Sequence, residues 1–369
     1  MKKYLILLIL FSFNSILTSS VCASGSIPEL KDSVIKRLAE LKEESHSKGL
    51  LAGIWKGHKK VFTVALGESM TSVPAETSMH FRIGGVSEIF FGTLVMILSE
   101  KGEFSLDDKI SKWMPDILAA DKVTVGMLIK NTAGYKDYVL NNDFVNLITK
   151  EPFRKITPEE IIAFSTEDGK LNFSPGTDQQ YSHTEFTILG EVIRRATNKS
   201  IDELYKEYIF NPLMLQHTGY CLNSELPYPV LHSVSSDRGI YEDATFWNPS
   251  WTGESGALYS TLDDLGKWSH TFGTGKLLTP ESFKILVSRY GNTGKPDLYF
   301  ASGFVFANGW YLQNPSFNGY SGAFGYLPSE ELSIIIFTTE SEISDKSMNA
   351  FQIFKELVNI LTPESKINF

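Results

Sequence analysis

Phe81-Arg82-Ile83-Gly84-Gly85-Val86-Ser87-Glu88 is the stretch whose reading decides the fold. Gly85 and Glu88 stand three residues apart in it, so on a helix the two positions share a face. The stretch lies near the start of a middle region, about Gly67 to Asn248, made mostly of helical patterns and long loops. On its N-terminal side, Leu50 to Ala65 is rich in β-formers and interrupted by Lys56-Gly57-His58-Lys59, which predicts two strands and a turn. Before them, Leu30, Val34, Ile35, Leu38 and Leu41 recur at helical spacing with charges between, an amphipathic first helix. On the C-terminal side, strand-like runs return at Gly303 to Ala307, Trp310 to Leu312 and Leu332 to Thr338. A final helix is expected from Lys346 to Leu361, with Phe351, Phe354, Leu357, Val358 and Leu361 as its apolar stripe. Strands at both ends with helices between them predict an α/β (α+β) fold. The terminal segments build one antiparallel sheet, covered by the first and last helices, and a mostly helical lobe packs against it. Residues 24–369 are expected to form this single domain, with the sheet lobe at about 24–66 and 296–369 and the helical lobe at about 67–295. A cleft between the lobes is the expected site.

The first residues read as a secretory signal peptide, residues 1–23. Lys2 and Lys3 are a basic start, Leu5 to Leu17 a short apolar run, and Val21-Cys22-Ala23 a small-residue cleavage site. The run is too short, and too broken by Ser12, Asn14 and Ser15, to span a bilayer. Val21 is a poor residue for lipidation at Cys22. The protein is therefore expected to be exported, periplasmic or secreted, with no stable membrane span after cleavage. The chain carries 34 Lys and Arg against 43 Asp and Glu, a net charge of −9, and no basic run. That balance excludes nucleic acid as a partner. Cleavage would leave Cys221 alone, so no internal disulfide forms. Cys221 has no helix-start or basic context to activate it and is expected as a buried structural thiol.

Six further stretches sit in order along the chain. They are Glu103 to Ile117 (EFSLDDKISKWMPDI), Lys130-Asn131-Thr132-Ala133-Gly134, and Phe173-Ser174-Pro175-Gly176-Thr177 with Tyr181-Ser182-His183 and Leu189-Gly190. Next come Asn211-Pro212-Leu213-Met214, Ser255 to Thr261 with Asp264-Leu265, and Gly319-Tyr320-Ser321-Gly322. Together with Phe81 to Glu88 they resemble the class C β-lactamase and D-alanyl-D-alanine carboxypeptidase family of penicillin-recognising serine hydrolases, which includes many esterases. The likeness spans about Leu50 to Glu340, nearly the whole chain after the signal.

The resemblance implies an acyl-enzyme mechanism built on S-x-x-K, Y-x-N and H-x-G or K-x-G motifs. Gly85 stands at the serine position and Glu88 at the lysine position. His183 replaces the asparagine of Y-x-N, Asn131 a histidine, and Tyr320 the third-motif base; Tyr181 remains as the family has it. Gly85 carries no nucleophile, and losing one typically costs about 10⁶ in rate. Replacing a cation by Glu88 also weakens attraction for a carboxylate-bearing substrate. The frame is kept: Gly176, Tyr181, Gly322 and the N–H groups of Gly85 and Ala323, which the resemblance places at the oxyanion. The expected substrate-binding set is thus Gly85, Tyr320, Gly322, Ala323 and Asn131.

Two functions follow as expectations. One is a pseudoenzyme that binds a small-molecule, peptide or cell-wall-type ligand, or a protein, in the interlobe cleft. The other is a hydrolase with relocated chemistry, in which Glu88 bonds His183 and Tyr181 assists. No cofactor is implied, and no H-E-x-x-H or Cys/His spacing supports a metal. Ser87 is nearly opposite Gly85 on a helix and is not expected as a replacement nucleophile. Ser182 is expected to bond locally. Phe246, Trp247 and Trp251 serve equally well as core or as the lining of a ligand cleft.

Overall fold

The computed structural model describes residues 30–344 and 348–367. The expected signal peptide and Lys346, the expected first residue of the last helix, lie outside them. Charges on one face and Val34, Leu38 and Leu41 on the other make Lys31–Glu44 the helix α1. The β-rich stretch behind it forms β1 (Gly49–Lys56) and β2 (Lys59–Met70), followed by a short β3 (Val73–Pro74). The helical region contains α2 (Val86–Glu100), α3 (Asn142–Lys150), α4 (His183–Thr197) and α5 (Leu262–Gly273). The chain then returns to the sheet as β4 (Leu298–Phe300), β5 (Val305–Ala307), β6 (Trp310–Gln313), β7 (Ser316–Phe317), β8 (Tyr320–Leu327) and β9 (Leu332–Thr339). It ends in α6 (Ala350–Leu361).

Among the described residues these strands make one antiparallel sheet of nine, in the order β3-β2-β1-β9-β8-β6-β5-β4. The ninth, β7, pairs with β8 through Ser316–Ser321 and Phe317–Tyr320. Because β9 occupies the other side of β8, β6 and β7 share a single edge of that strand. Alternation along β9 sends successive side chains to opposite faces. Ile334 and Ile336 pack with α1 and α6, while Ile335 and Phe337 pack with the helical region. The antiparallel sheet flanked by the first and last helices is as the sequence predicts.

Two features set the position of α2. Phe81 and Arg82 pair with Ser260 and Tyr259 in a small three-stranded sheet inside the otherwise helical region. Gly84 then turns the chain with φ +50, and Val86 N donates to the Ile83 carbonyl to start the helix. Every residue from Val86 to Leu98 is buried. A helix apolar on all sides belongs in a core, and α2 carries Gly85 and Glu88 into the middle of the molecule.

Cys221 departs from expectation. It is half-buried, with Sγ 3.1 Å from Asn223 Oδ1 and 3.2 Å from the Glu225 carbonyl. No helix among the described residues is long and apolar enough to cross a membrane.

Candidate active site

Gly85 caps α2 in ordinary helical geometry, φ −58 and ψ −13, so its backbone does not demand glycine. Space does. A Cβ added there would lie 2.9 Å from Oε1 of Gln313, the last residue of β6. Gln313 is held in place by its own amide: Nε2 donates to the Gly303 carbonyl at 2.8 Å and to Glu88 Oε2 at 3.1 Å. A glutamine side chain thus fills the volume into which a nucleophile at position 85 would project.

Glu88 lies one turn into α2 and is 0% exposed. Burial holds its carboxyl well above the ordinary carboxylate range; bonds from Tyr181 and Gln313 oppose this, and the nearby Asp137 adds to it. Its Oε1 is hydrogen-bonded to Tyr181 Oη. Tyr181 Oη also lies 3.2 Å from His183 Nε2, and His183 Nδ1 lies 2.9 Å from Asp137 Oδ2. The Tyr181 hydroxyl donates to Glu88 Oε1 and Gln313 Nε2 donates to Glu88 Oε2, so both carboxyl oxygens are engaged. Burial, then the adjacent Glu88, push the Tyr181 phenol well above its usual range, so it stays protonated. Its ring is 37% exposed while its hydroxyl faces inward to Glu88.

Loop 131–137 reaches this network because α4 holds it. Glu185 accepts from the N–H groups of Ala133 (3.2 Å), Gly134 (2.9 Å) and Tyr135 (3.2 Å). Gly134 has φ +89 and lies against the Phe173 carbonyl, 2.5 Å from where a Cβ would sit, so only glycine serves there. Burial pushes the Glu185 carboxyl up to about 8 despite those donors. Tyr138 N donates to Thr184 Oγ1 at 3.3 Å and the Tyr138 hydroxyl to the Trp251 carbonyl at 2.6 Å. With both ends of the loop tied to α4 and its surroundings, Asp137 is placed beside His183.

The geometry brings Gly85, Glu88, Tyr181 and His183 together and corrects the rest. Glu88 does not bond His183; Tyr181 stands between them. Tyr320 is buried and its hydroxyl donates to the Leu231 carbonyl, away from Gly85. Gly322 N donates to the Pro315 carbonyl at 2.8 Å, and Ala323 packs with the α1 and α6 side of the sheet. The Gly322 N–H is therefore already engaged and not free to hold an oxyanion. Tyr320, expected in the substrate-binding set at the third-motif position, is not beside Gly85; the sheet residue there is Gln313. Asn131 is fully buried at φ +53 and donates to the Ser182 carbonyl at 3.2 Å, so it positions the loop and does not face a ligand. Ser87 is buried and accepts from Leu258 N at 3.2 Å. Ser182 Oγ is buried without a hydrogen-bond partner among the described residues, contrary to the local bond expected of it. Phe246 packs edge-on against His232, while Trp247 and Trp251 line a cavity. The described residues hold no cluster of three or more His, Cys, Asp or Glu arranged for a metal.

Sequence reasoning missed Asp137 and Gln313. Asp137 follows the Lys130–Gly134 motif by three residues, and that closeness was its only signal. Gln313 was visible as the polar end of an apolar strand, Trp310-Tyr311-Leu312.

The comparisons agree with this frame. The Beta-lactamase family model matches residues 34–356. The chain is 22% identical over 295 residues to a beta-lactamase of Escherichia coli (strain K12), covering 77% of this chain and 73% of that protein. It is 25% identical over 253 residues to the teichoic acid D-alanine hydrolase of Staphylococcus aureus, covering 66% of this chain and 56% of that one. It is 27% identical over 207 residues to penicillin-binding protein 4 of Amycolatopsis lactamdurans, covering 54% and 52%. The matched stretch thus spans about half the length of the latter two. Among solved structures, a D-stereospecific amidohydrolase from Streptomyces sp. superposes with TM-score 0.79 at 20% identity, covering 90% of this chain and 98% of that one. The D-amino acid amidase from Ochrobactrum anthropi SV3 gives 0.77 at 19%, covering 90% and 97%. At these identities the structural likeness concerns the fold.

Proposed function

The chain belongs to the beta-lactamase family, whose fold is that of the serine hydrolases, and from that premise we propose that it acts by binding a ligand and forms no acyl-enzyme. The observation that carries this reading is the Gln313 side chain beside the position of the absent nucleophile, anchored to the buried Glu88. An acyl-enzyme needs a nucleophile beside a base. Position 85 has no side chain, and the residue at the lysine position is a buried carboxyl already bonded to Tyr181 and Gln313. A fluorescent penicillin tests the reading. The purified protein is expected to show no label that survives denaturation, and a surviving label overturns the proposal.

A second reading draws on one specific observation, the Asp137–His183 bond. A carboxylate that orients an imidazole is the arrangement of a general base. Its other nitrogen, however, faces the Tyr181 hydroxyl rather than open solvent. Hydrolysis of acyl esters or D-amino-acid peptides, lost in His183→Ala, would favour it; the binding reading expects no turnover in either form.

Export is part of the proposal. The basic start, short apolar run and Val21-Cys22-Ala23 support it. N-terminal sequencing of the protein from its native host is expected to begin at Ser24.

A further inference from the structure

We propose that Cys221 is an oxidation site, at which a hydroperoxide makes a sulfenic acid whose oxygen is held by the buried guanidinium of Arg82. This stands apart from the binding reading above and does not depend on it. The two residues meet at the small three-stranded sheet of the helical region. Arg82 lies on one outer strand, paired with Tyr259, and Cys221 directly follows the other, Gly219–Tyr220. The Asn223 carbonyl joins them. Arg82 Nη2 donates to it at 3.1 Å, and Cys221 Sγ lies 3.4 Å from the same oxygen. The basic context absent from the sequence around Cys221 is thus supplied in space.

Arg82 is short of a partner. It is 1% exposed, and the ionisable groups that act on it are Cys221 and Tyr320, with no carboxylate between them. A guanidinium does not give up its proton in a protein, and a buried charge without an opposite one is costly. Two of its nitrogens reach main-chain oxygens: Nη2 at Asn223, and Nε at Thr245, the latter only at 3.5 Å. Nη1 is buried with no partner among the described residues. Tyr320 does not complete the pair, because burial pushes its phenol up and its hydroxyl donates to the Leu231 carbonyl. Asp243, which acts on Tyr320, lies 2.6 Å from His232 Nδ1 and accepts from Thr245 N at 2.9 Å. That leaves the half-buried thiol. Reactive thiols sit in electropositive, partly exposed surroundings of this kind.

As a thiol, Cys221 serves these surroundings poorly. Its single hydrogen faces Asn223 Oδ1 at 3.1 Å, the Glu225 carbonyl at 3.2 Å and the Asn223 carbonyl, and it offers the guanidinium only a weak sulfur acceptor. One added oxygen changes both. The sulfur attacks one oxygen of the peroxide, so that an S–O bond forms as the O–O bond breaks. Sulfur is oxidised by two electrons and the peroxide is reduced. With hydrogen peroxide, the thiol proton joins the departing hydroxide and leaves as water. The resulting S–OH keeps one hydrogen for the facing oxygens and turns an oxygen lone pair to Nη1. Loss of that hydrogen would give Arg82 the negative charge it lacks. The chain's other cysteine is Cys22, within the expected signal peptide. After cleavage no second thiol is left to turn the product into an internal disulfide.

The test treats the reduced, purified protein with dilute hydrogen peroxide and traps sulfenic acid with dimedone. Mass spectrometry of the peptide holding Cys221 gives the rate, and the same chain unfolded in urea gives the rate of an unassisted thiol. Native Cys221 is expected to react about tenfold faster or more than in urea. Asn223→Asp sets a carboxylate where Oδ1 lies 3.1 Å from Sγ, and is expected to slow the native reaction about tenfold. Asn223 is exposed, so this variant should fold even if Arg82→Gln, the direct test of the guanidinium, does not. The oxidised protein is expected to melt about 1 °C or more above the reduced one, a gain absent from Cys221→Ser treated alike. Three results overturn the proposal: a native rate no greater than that in urea, a rate indifferent to Asn223→Asp, or an oxidised protein that melts no higher than the reduced one.

Discussion

Glu88 shows how burial rather than charge sets the character of the site. A carboxylate at a lysine position suggests an inverted field, yet burial favours the protonated form of this carboxyl, which is bonded to Tyr181 and Gln313. Glu88→Gln keeps the shape and a carbonyl acceptor while removing the titration, and is expected to cost under about 1 kcal/mol in urea unfolding. Glu88→Lys buries an unpaired cation and should cost about 3–5 kcal/mol. The double substitution Gly85→Ser with Glu88→Lys should remain unlabelled by penicillin, because the new Cβ meets Gln313 Oε1 at 2.9 Å. Adding Gln313→Ala is expected to give the first detectable label; full labelling of the double variant would contradict the occupied volume. Tyr181 and His183 were legible in the chain because they stand in a recognisable motif. Asp137 and Gln313 were not, because side chains far apart in sequence become partners only once loop 131–137 and β6 are in place.

Elements were easier to read than their roles. The β-rich stretch after Gly49 and the helical stripes of α1 and α6 carry local periodicity, and the sheet and its covering helices follow from it. The side chain that reaches Gly85 from the sheet is Gln313 of β6, not Tyr320 of β8. Gly319-Tyr320-Ser321-Gly322 has suggestive glycines, and only the pairing of β6 and β7 along β8 reveals that β6 ends beside α2. Packing overrides propensity in α5. Alanine is about 1 kcal/mol better than glycine inside a helix. At Gly266, however, a Cβ would fall 2.1 Å from the Trp55 ring, which is wedged between α5 and the sheet. Overpacking costs about 1–3 kcal/mol, so Gly266→Ala should lower the urea midpoint despite its better propensity.

Across the whole molecule, buried ionisable groups should shape stability against pH. Glu185, raised to about 8 by burial, holds a proton in the fold that the unfolded chain releases near pH 4.5, and burial shifts Glu88 in the same direction. The Glu185 contribution is full below pH 4.5 and is lost as pH climbs toward 8. Lys130 acts in the opposite sense. Burial lowers its ammonium to about 7, so between about 7 and 10.5 the unfolded chain holds the extra proton and stability rises with pH. Urea unfolding near pH 5, 7.5 and 10 should therefore show a minimum at the middle value, with a depth on the order of a few kcal/mol. Glu185→Gln should flatten the acid side; a curve with its maximum near pH 7.5 would refute the assignment. The occupied volume at Gly85 also has a consequence for descent. Any side chain at position 85 and the amide at position 313 compete for one space, so the two positions are coupled. Relatives that carry glycine at 85 should favour an amide at 313, and a lineage that regains serine there should move or replace Gln313. Loss of the nucleophile is thus reinforced by a residue on another strand.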